Sequence, residues 1–264
     1  MSVQQFPLSA EEREIRKQNQ RMLELYESVE ARFGRGVVGV VCGEQGRWTN
    51  FTNAMTYLIR PMGTMVLFEP GVDITKQCNA FINAARQRGD EWLWIIGDDH
   101  VFNPDIILQL LDHDLDVVVP NVLQRSAPFY PVVYDGIREE DGHHMIKYDL
   151  PEHGVHEVFA AGSAGMLIRK QVIDKLPAAP FQRWGATQNE DLEFCRLTRE
   201  AGFKIWCDVD TQMAHIGVMN VWPVWSEEYG WGANLEIGPV NAQGVSPKMP
   251  VFRIAPGSAA LRSA

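Results

Sequence analysis

The strongest hydrophobic signal in the chain is Trp92-Leu93-Trp94-Ile95-Ile96, five apolar residues in a row, followed at once by Gly97-Asp98-Asp99-His100. A run this short reads as a buried strand and is far too short to span a membrane. After Pro104, the residues Ile106, Ile107, Leu110 and Leu111 recur at helical spacing. Proline is common at a helix start, where the N–H has no helical partner in any case. A buried strand therefore ends in acid, and a helix begins a few residues later.

The same alternation runs through the first half. Ser9 followed by Glu11 and Glu12 predicts a helix to about Phe33, with Ile15, Met22, Leu25, Tyr26 and Val29 as a partial apolar stripe. Val37–Cys42 is rich in β-formers and ends in Gly43-Glu44-Gln45-Gly46. Thr49–Leu58 reads as a helix and Thr64–Phe68 as a second strand closed by Glu69-Pro70-Gly71. Asp73 or Thr75 can cap the next helix, where Cys78, Phe81, Ile82 and Ala85 share a face. Leu115–Val119 is a further strand. Strands alternating with helices imply a mostly parallel sheet with both faces covered.

The second half is less regular. Gln124–Tyr148 contains Pro128, Pro131, Gly136 and Gly142 and reads as loops with hairpin pieces such as Pro131–Tyr134. Val158–Gly165 leads into the strand Met166-Leu167-Ile168-Arg169 and then a helix. Gln188–Ala201 is amphipathic, with Leu192, Cys195 and Leu197 inward and Gly202 as its C-terminal stop. Phe203–Cys207 is a strand that Asp208–His215 continues. From Gly217 onward Gly, Pro, Asn and Trp dominate, and the chain reads as an irregular tail. The expected organisation is an N-terminal helix (1–34), an α/β domain (35–217) and an irregular extension (218–264).

Composition narrows the classes. A length of 264 residues suits one large α/β domain with appendages, and 45% hydrophobic content supports an ordinary core. A formal charge of -10 disfavours a sequence-independent grip on nucleic acid. Cys42, Cys78, Cys195 and Cys207 form no CxxC pair and read as reduced, mostly buried thiols of a cytoplasmic protein. No stretch has the apolar core of a signal peptide or the length of a membrane span. The stripe of the first helix can pack on the domain or on a second copy, giving a homo-oligomer.

Several residue groups could do chemistry, and each also has a structural explanation. Hard oxygen ligands after the 92–96 strand suit Mg²⁺ or Mn²⁺ on a diphosphate, because ligands of open α/β sheets gather at the carboxyl ends of strands; otherwise this is a polar loop that caps a helix. Gly162-Ser163-Ala164-Gly165 fits neither a dinucleotide fingerprint nor a P-loop. Its small residues instead let a ligand or another backbone come close. Glu190 and Asp191 complement a helix dipole, or supply a general base. His215, after a strand and before Gly217, is a lone histidine, more often structural than a ligand. His143-His144 lacks metal-site spacing and reads as solvated surface. Trp222, Trp225 and Trp231 could stack on sugar or anchor the tail.

Taken in order, these features resemble the GT-A superfamily of nucleotide-sugar-dependent glycosyltransferases, in the manner of small stand-alone, family-2-like members of phage and bacteria. The likeness covers about Val37 to Gly217. Asn79-Ala80-Phe81-Ile82-Asn83-Ala84-Ala85 is similar to the family's Arg-Asn helix, with Cys78 where arginine is usual. Ala161–Lys170 is similar to the acceptor-side turn that runs into an "LIRR" strand. Asn189-Glu190-Asp191-Leu192-Glu193-Phe194-Cys195, with Arg199–Ile205, resembles the "ED" helix and its following strand, the most specific match in the chain. The metal motif departs from the pattern. With Pro104-Asp105 as the ruler, Gly97 falls on the first Asp of Asp-x-Asp and Asp99 on the second, with Asp98 or His100 as substitutes for the missing acid. A slipped register makes Asp98-Asp99-His100 an Asp-x-His motif, as in some retaining relatives that act on polypeptide.

The resemblance implies a Rossmann-like sheet flanked by helices and transfer of a sugar from a nucleoside diphosphate sugar to a hydroxyl of a protein, glycan or modified nucleobase, with inversion. It implies Mn²⁺ or Mg²⁺ on Asp99 and His215, and Asp191, or its neighbour Glu190, as base. Glu69, Asn79, Asp98 and Arg125 are the expected nucleotide-sugar contacts. Gly162, Ser163, Ala164, Gly165 and Trp184 are expected to line the acceptor cleft. The competing readings are a sugar nucleotidyltransferase and a non-catalytic carbohydrate-binding protein. Against the first, the loop Gly43-Glu44-Gln45-Gly46-Arg47 is short and acidic; against the second, Asp99, Asp191 and His215 are all retained.

Overall fold

The structure, a computed structural model, describes residues 9–43, 48–125, 129–138, 144–147, 150–183, 190–217, 219–226 and 230–237. The chain divides into two compact units: Met1–Val122 with Pro131–Ala214, and Leu123–Tyr130 with His215–Ala264.

The first unit opens with α1 (Ala10–Phe33), starting at Ser9 as expected, with a reciprocal cap: Ser9 Oγ accepts from Glu12 N and the Glu12 carboxylate accepts from Ser9 N. Only Val29 and Phe33 of this helix are buried. Then come β1 (Val37–Cys42), α2 (Thr49–Tyr57), β2 (Met65–Pro70), α3 (Ile74–Arg88) and β3 (Trp92–Gly97). Asp73 caps α3, and Cys78, Phe81, Ile82 and Ala85 are its buried face, as their spacing requires. A short strand, β4 (His100–Phe102), separates the acidic turn from α4 (Ile106–Asp112). Pro104 precedes that helix, and its carbonyl accepts from Ile59 N at 2.8 Å.

After β5 (Val117–Val122) come β6 (Val133–Arg138), β7 (His144–Lys147), β8 (Val155–Val158), β9 (Ala160–Ala161) and β10 (Met166–Arg169). The helices α5 (Lys170–Lys175) and α6 (Glu190–Glu200) and the strand β11 (Ile205–His215) follow. The segment read as loops with hairpin pieces supplies β6 and β7, an antiparallel pair that β9 extends to a three-stranded sheet in the order β7-β6-β9. His144 lies in its strand β7 rather than in a loop, and His143 is outside the described residues.

The main sheet runs β2-β1-β3-β10-β5-β11-β4, with β8 also paired to β11. β1 is parallel to β2 and β3, and β11 to β5, whereas β10 runs antiparallel to both β3 and β5. Two reversals restore direction, so β2, β1, β3, β5 and β11 all point the same way. The fold is mixed α/β, with a mostly parallel sheet flanked by helices. On one face Leu93, Ile95, Val117, Val119, Met166 and Ile168 pack with Phe81 and Ile82 of α3, Val172 of α5 and Leu192 and Phe194 of α6. On the other, Trp94 meets Phe102 edge-on at 5.2 Å, and Phe102 meets Phe51 of α2 at 6.5 Å. All four cysteines are buried and form no disulfide.

Within the C-terminal extension, β12 (Met219–Ser226) and β13 (Gly230–Ile237) form an antiparallel hairpin, in register from Met219↔Ile237 to Ser226↔Gly230. Pro223 lies inside β12, opposite Ala233 of β13. Residues 238–264 lie outside the described chain. No described helix is long and apolar enough to cross a membrane.

Candidate active site

The site grows from the end of β3. Leu93 and Ile95 face the α6 side, so strand alternation puts Gly97 on that side at the carboxyl edge of the sheet. A Cβ on Gly97 would stand 2.8 Å from Asp99 Oδ1 and 3.1 Å from His100 Nδ1. Glycine is therefore what lets the two following side chains fold back over the strand end. Asp99 Oδ1 lies 3.0 Å from His100 Nδ1, which is also 3.2 Å from the Gly97 carbonyl oxygen. Both neighbours of Nδ1 are oxygens, so Nδ1 carries the proton and the lone pair of neutral His100 is on Nε2. Asp98 does different work: its Oδ2 accepts from Gly43 N at 3.2 Å, while its own N–H donates to Val41 O, so it ties the exit of β1 to that of β3.

The small-residue turn reaches the same edge because β10 runs backwards. Met166 pairs with Ile95, so the residues just before β10 lie beside the carboxyl end of β3. Trp94 Nε1 donates to the Gly165 carbonyl at 2.9 Å. Gly165 has φ +71°, and a Cβ there would stand 2.7 Å from Pro120 Cγ, so both backbone shape and space demand glycine. At Gly162 a Cβ would meet Val132 Cγ1 at 3.3 Å and Asp191 Oδ2 at 3.5 Å. Ser163 and Ala164 sit between these two glycines. The turn is thus on the acidic edge of the sheet, against the first turn of α6.

Asp191 is fixed from both sides. Leu192 N donates to its Oδ1 at 2.9 Å, and the Ser163 backbone N–H donates to the same carboxylate. Burial, reinforced by the neighbouring Glu190 carboxylate, nevertheless pushes the Asp191 pKa up to about 7. Glu190 is itself buried. The helix bearing both acids is seated by Phe194, which stacks on Phe181 at 4.5 Å, and by Cys195, whose Sγ lies 3.4 Å from Ala161 O.

The other expected contacts are placed as follows. Glu69 is exposed near the carboxyl end of β2, in register with Val41. Asn79 engages the Phe181 backbone twice, its Nδ2 donating to Phe181 O at 2.7 Å and its Oδ1 accepting from Phe181 N at 3.1 Å; it fastens α3 to the segment before α6. Arg125 is exposed in the second unit. His215 is the last residue of β11, and its Nδ1 faces the Leu123 carbonyl oxygen at 3.1 Å, which again leaves the lone pair of the neutral ring on Nε2. Trp184 lies outside the described residues.

Two further side chains belong to this edge. Gln77 accepts from Cys42 N at 3.2 Å and donates to Cys42 O at 3.3 Å and Gly71 O at 2.8 Å, bracing the exits of β1 and β2. Asn121 stands near the end of β5 with its Oδ1 buried and, among the described residues, no donor within hydrogen-bond distance. Each leaves a signal in the sequence: Gln77 is a polar residue on the apolar face of a helix, and Asn121 interrupts a valine-rich strand.

No family model matches the chain, and no curated protein matches it. Among solved structures it is similar to A197 from STIV, with 11% identity and a TM-score of 0.48 over 69% of this chain and 85% of that chain.

Proposed function

We propose that this protein is a metal-assisted glycosyltransferase that moves a sugar from a nucleoside diphosphate sugar to an acceptor hydroxyl, with inversion. One observation carries the reading. A carboxylate held near neutrality, Asp191, is bonded to a turn of small residues beside the strand end that bears Asp98 and Asp99. A base poised near pH 7 and a small-residue floor beside hard ligands suit attack by a hydroxyl on a carbon with a phosphate leaving group.

In this reading the acceptor oxygen attacks the anomeric carbon while its proton passes to Asp191. The bond from that carbon to the diphosphate oxygen breaks, and the diphosphate leaves. One displacement with one base inverts the centre. Asp99 and His100, adjacent at the end of β3, would hold a divalent cation that takes oxygen and imidazole ligands, Mn²⁺ or Mg²⁺. When bound, such an ion supplies Lewis-acid neutralisation of the diphosphate. Gly97 keeps Asp99 and His100 in place, and Gly162 lets the turn pack closely against Asp191 and Val132.

The test is incubation with Mn²⁺ and a panel of uridine-, guanosine- and thymidine-diphosphate hexoses, following release of nucleoside diphosphate. Release that depends on Asp99 and on metal supports the reading. Exchange of pyrophosphate instead points to a nucleotidyltransferase, and inertness towards the whole panel overturns catalysis by this site. Retention of configuration in the product would remove Asp191 from the role of base.

A further inference from the structure

One buried polar atom on the acidic edge has no role in the chemistry above. Val117, Val119 and Asn121 alternate along β5, so Asn121 continues the row that faces Leu192 and Phe194 of α6. Its neighbour Pro120 abuts Gly165, the last residue of the small-residue turn. Pro120 thus fixes this end of β5 beside the turn, while the Asn121 amide, on the opposite side of the strand, lies on the α6 face of that edge. Its Oδ1 is buried, and no described residue supplies a donor to it. Native proteins pair the large majority of such atoms, because a buried acceptor without a donor loses its hydration for nothing in return.

Resting on the transferase reading, we propose that Asn121 is a specificity-determining residue whose Oδ1 accepts a hydrogen bond from a hydroxyl of the transferred sugar. The chemistry favours a hydroxyl donor. An amide carbonyl can accept from O–H without adding negative charge beside a diphosphate, as a carboxylate would. The burial of Oδ1 favours the donor's sugar over the acceptor, since the activated sugar is the group that must be shielded from water before transfer. A polar site of this kind rejects an analogue lacking the hydroxyl far more strongly than an apolar pocket rejects a missing methylene.

The experiment takes whichever nucleoside diphosphate hexose of the panel the full chain turns over and compares it with its singly deoxygenated analogues. The wild type should disfavour one deoxy analogue by about a hundredfold or more in kcat/KM. Asn121→Leu should be slow with both and lose that discrimination, while Asn121→Asp, which keeps the oxygen, should retain it. The Tm of Asn121→Leu without ligand should equal or exceed that of the wild type, because the substitution removes an unsatisfied acceptor at nearly constant volume. Unchanged discrimination in Asn121→Leu, or a lowered Tm with normal discrimination, overturns the assignment and leaves the transferase reading standing. A wild type that turns over no sugar nucleotide overturns both.

Discussion

The indole Nε1 of Trp94 donates to the carbonyl oxygen of Gly165 at 2.9 Å, so the strand that ends in Asp98 and Asp99 is fastened to the turn that lies under Asp191. The two segments are far apart in sequence and share an edge only because β10 lies antiparallel to β3. The consequences can be tested residue by residue.

At Gly162 a methyl group would stand 3.3 Å from Val132 Cγ1 and 3.5 Å from Asp191 Oδ2. Gly162→Ala should be tolerated with a small loss. Gly162→Val must push on Val132 or on the Asp191 carboxylate, and overpacking of this kind costs about 1–3 kcal/mol. Turnover should fall by about a hundredfold while Tm drops by only a few degrees. A Tm collapse with a normal rate per folded molecule would show that the turn is merely structural.

Gly97 is where the resemblance expects an acid, yet a Cβ there would stand 2.8 Å from Asp99 Oδ1. Gly97→Asp should therefore lower metal-dependent turnover, because the new side chain displaces Asp99 from His100. Asp99→Ala should abolish the Mn²⁺ dependence. Titration of Mn²⁺ against turnover checks both, and a gain of activity in Gly97→Asp would show that the glycine is a lost ligand rather than a required space.

Asp191 sets the pH profile. Its pKa is raised to about 7, so the ionised, proton-accepting form becomes populated only as pH rises through neutrality. The transfer rate should climb between about pH 6 and 8 and then level off. Asp191→Asn should lose transfer by about a hundredfold or more while keeping donor binding, as read by calorimetry. Stability moves the other way. The folded chain holds the proton that the unfolded chain releases near pH 4, so Asp191 weakens the fold progressively as pH rises from about 4 to 7. Asn at this position removes that trend, and Tm measured across this range should be flatter in the variant. Loss of transfer in Glu190→Gln but not in Asp191→Asn would assign the base to Glu190.

Away from the site, His113 Nε2 lies 2.8 Å from Asp208 Oδ2, which also accepts from Thr211 Oγ1 at 2.6 Å. The hydrogen bond to Asp208 raises the His113 pKa against the opposing effect of burial. Burial opposes ionisation of Asp208 as well, but His113 and Thr211 hold its pKa below the usual carboxylate value. The stabilisation from His113 is full below its unfolded pKa, near 6.5, and is lost as pH rises through the raised folded value. His113→Ala should consequently lower Tm more at pH 6 than at pH 9. An equal loss at both pH values would mean that the imidazole contributes by packing alone.

Much of the first unit was legible in the sequence, because each feature is local. The apolar run Trp92–Ile96 has to be a buried strand, Ser9 and Glu12 write their own cap, and the spacing of Cys78, Phe81, Ile82 and Ala85 makes one face of α3. The sequence motifs also marked Asp99, Asp191 and the 162–165 turn as residues of interest. Their meeting was implied only by the family resemblance and was not legible in any local pattern. It depends on the insertion of β10 between β3 and β5, a pairing of strands separated by dozens of residues that no local pattern encodes. The near-neutral pKa of Asp191 comes from burial, reinforced by the Glu190 carboxylate and against the hydrogen bond from Ser163 N, and burial is a property of the packed chain. Asn79 and Gln77 show the same division, since an amide's partners are chosen by whichever backbone ends up beside it. Likewise the Gly-, Pro-, Asn- and Trp-rich composition after Gly217 gave no strand reading, yet β12 and β13 pair there. The sequence by itself determined the alternating strands and helices of the first half and most of the side chains that could do chemistry; the tertiary structure decided the shorter strands and which elements share an edge of the sheet, because contacts across the chain, unlike periodicity along it, exist only once the sheet has closed around them.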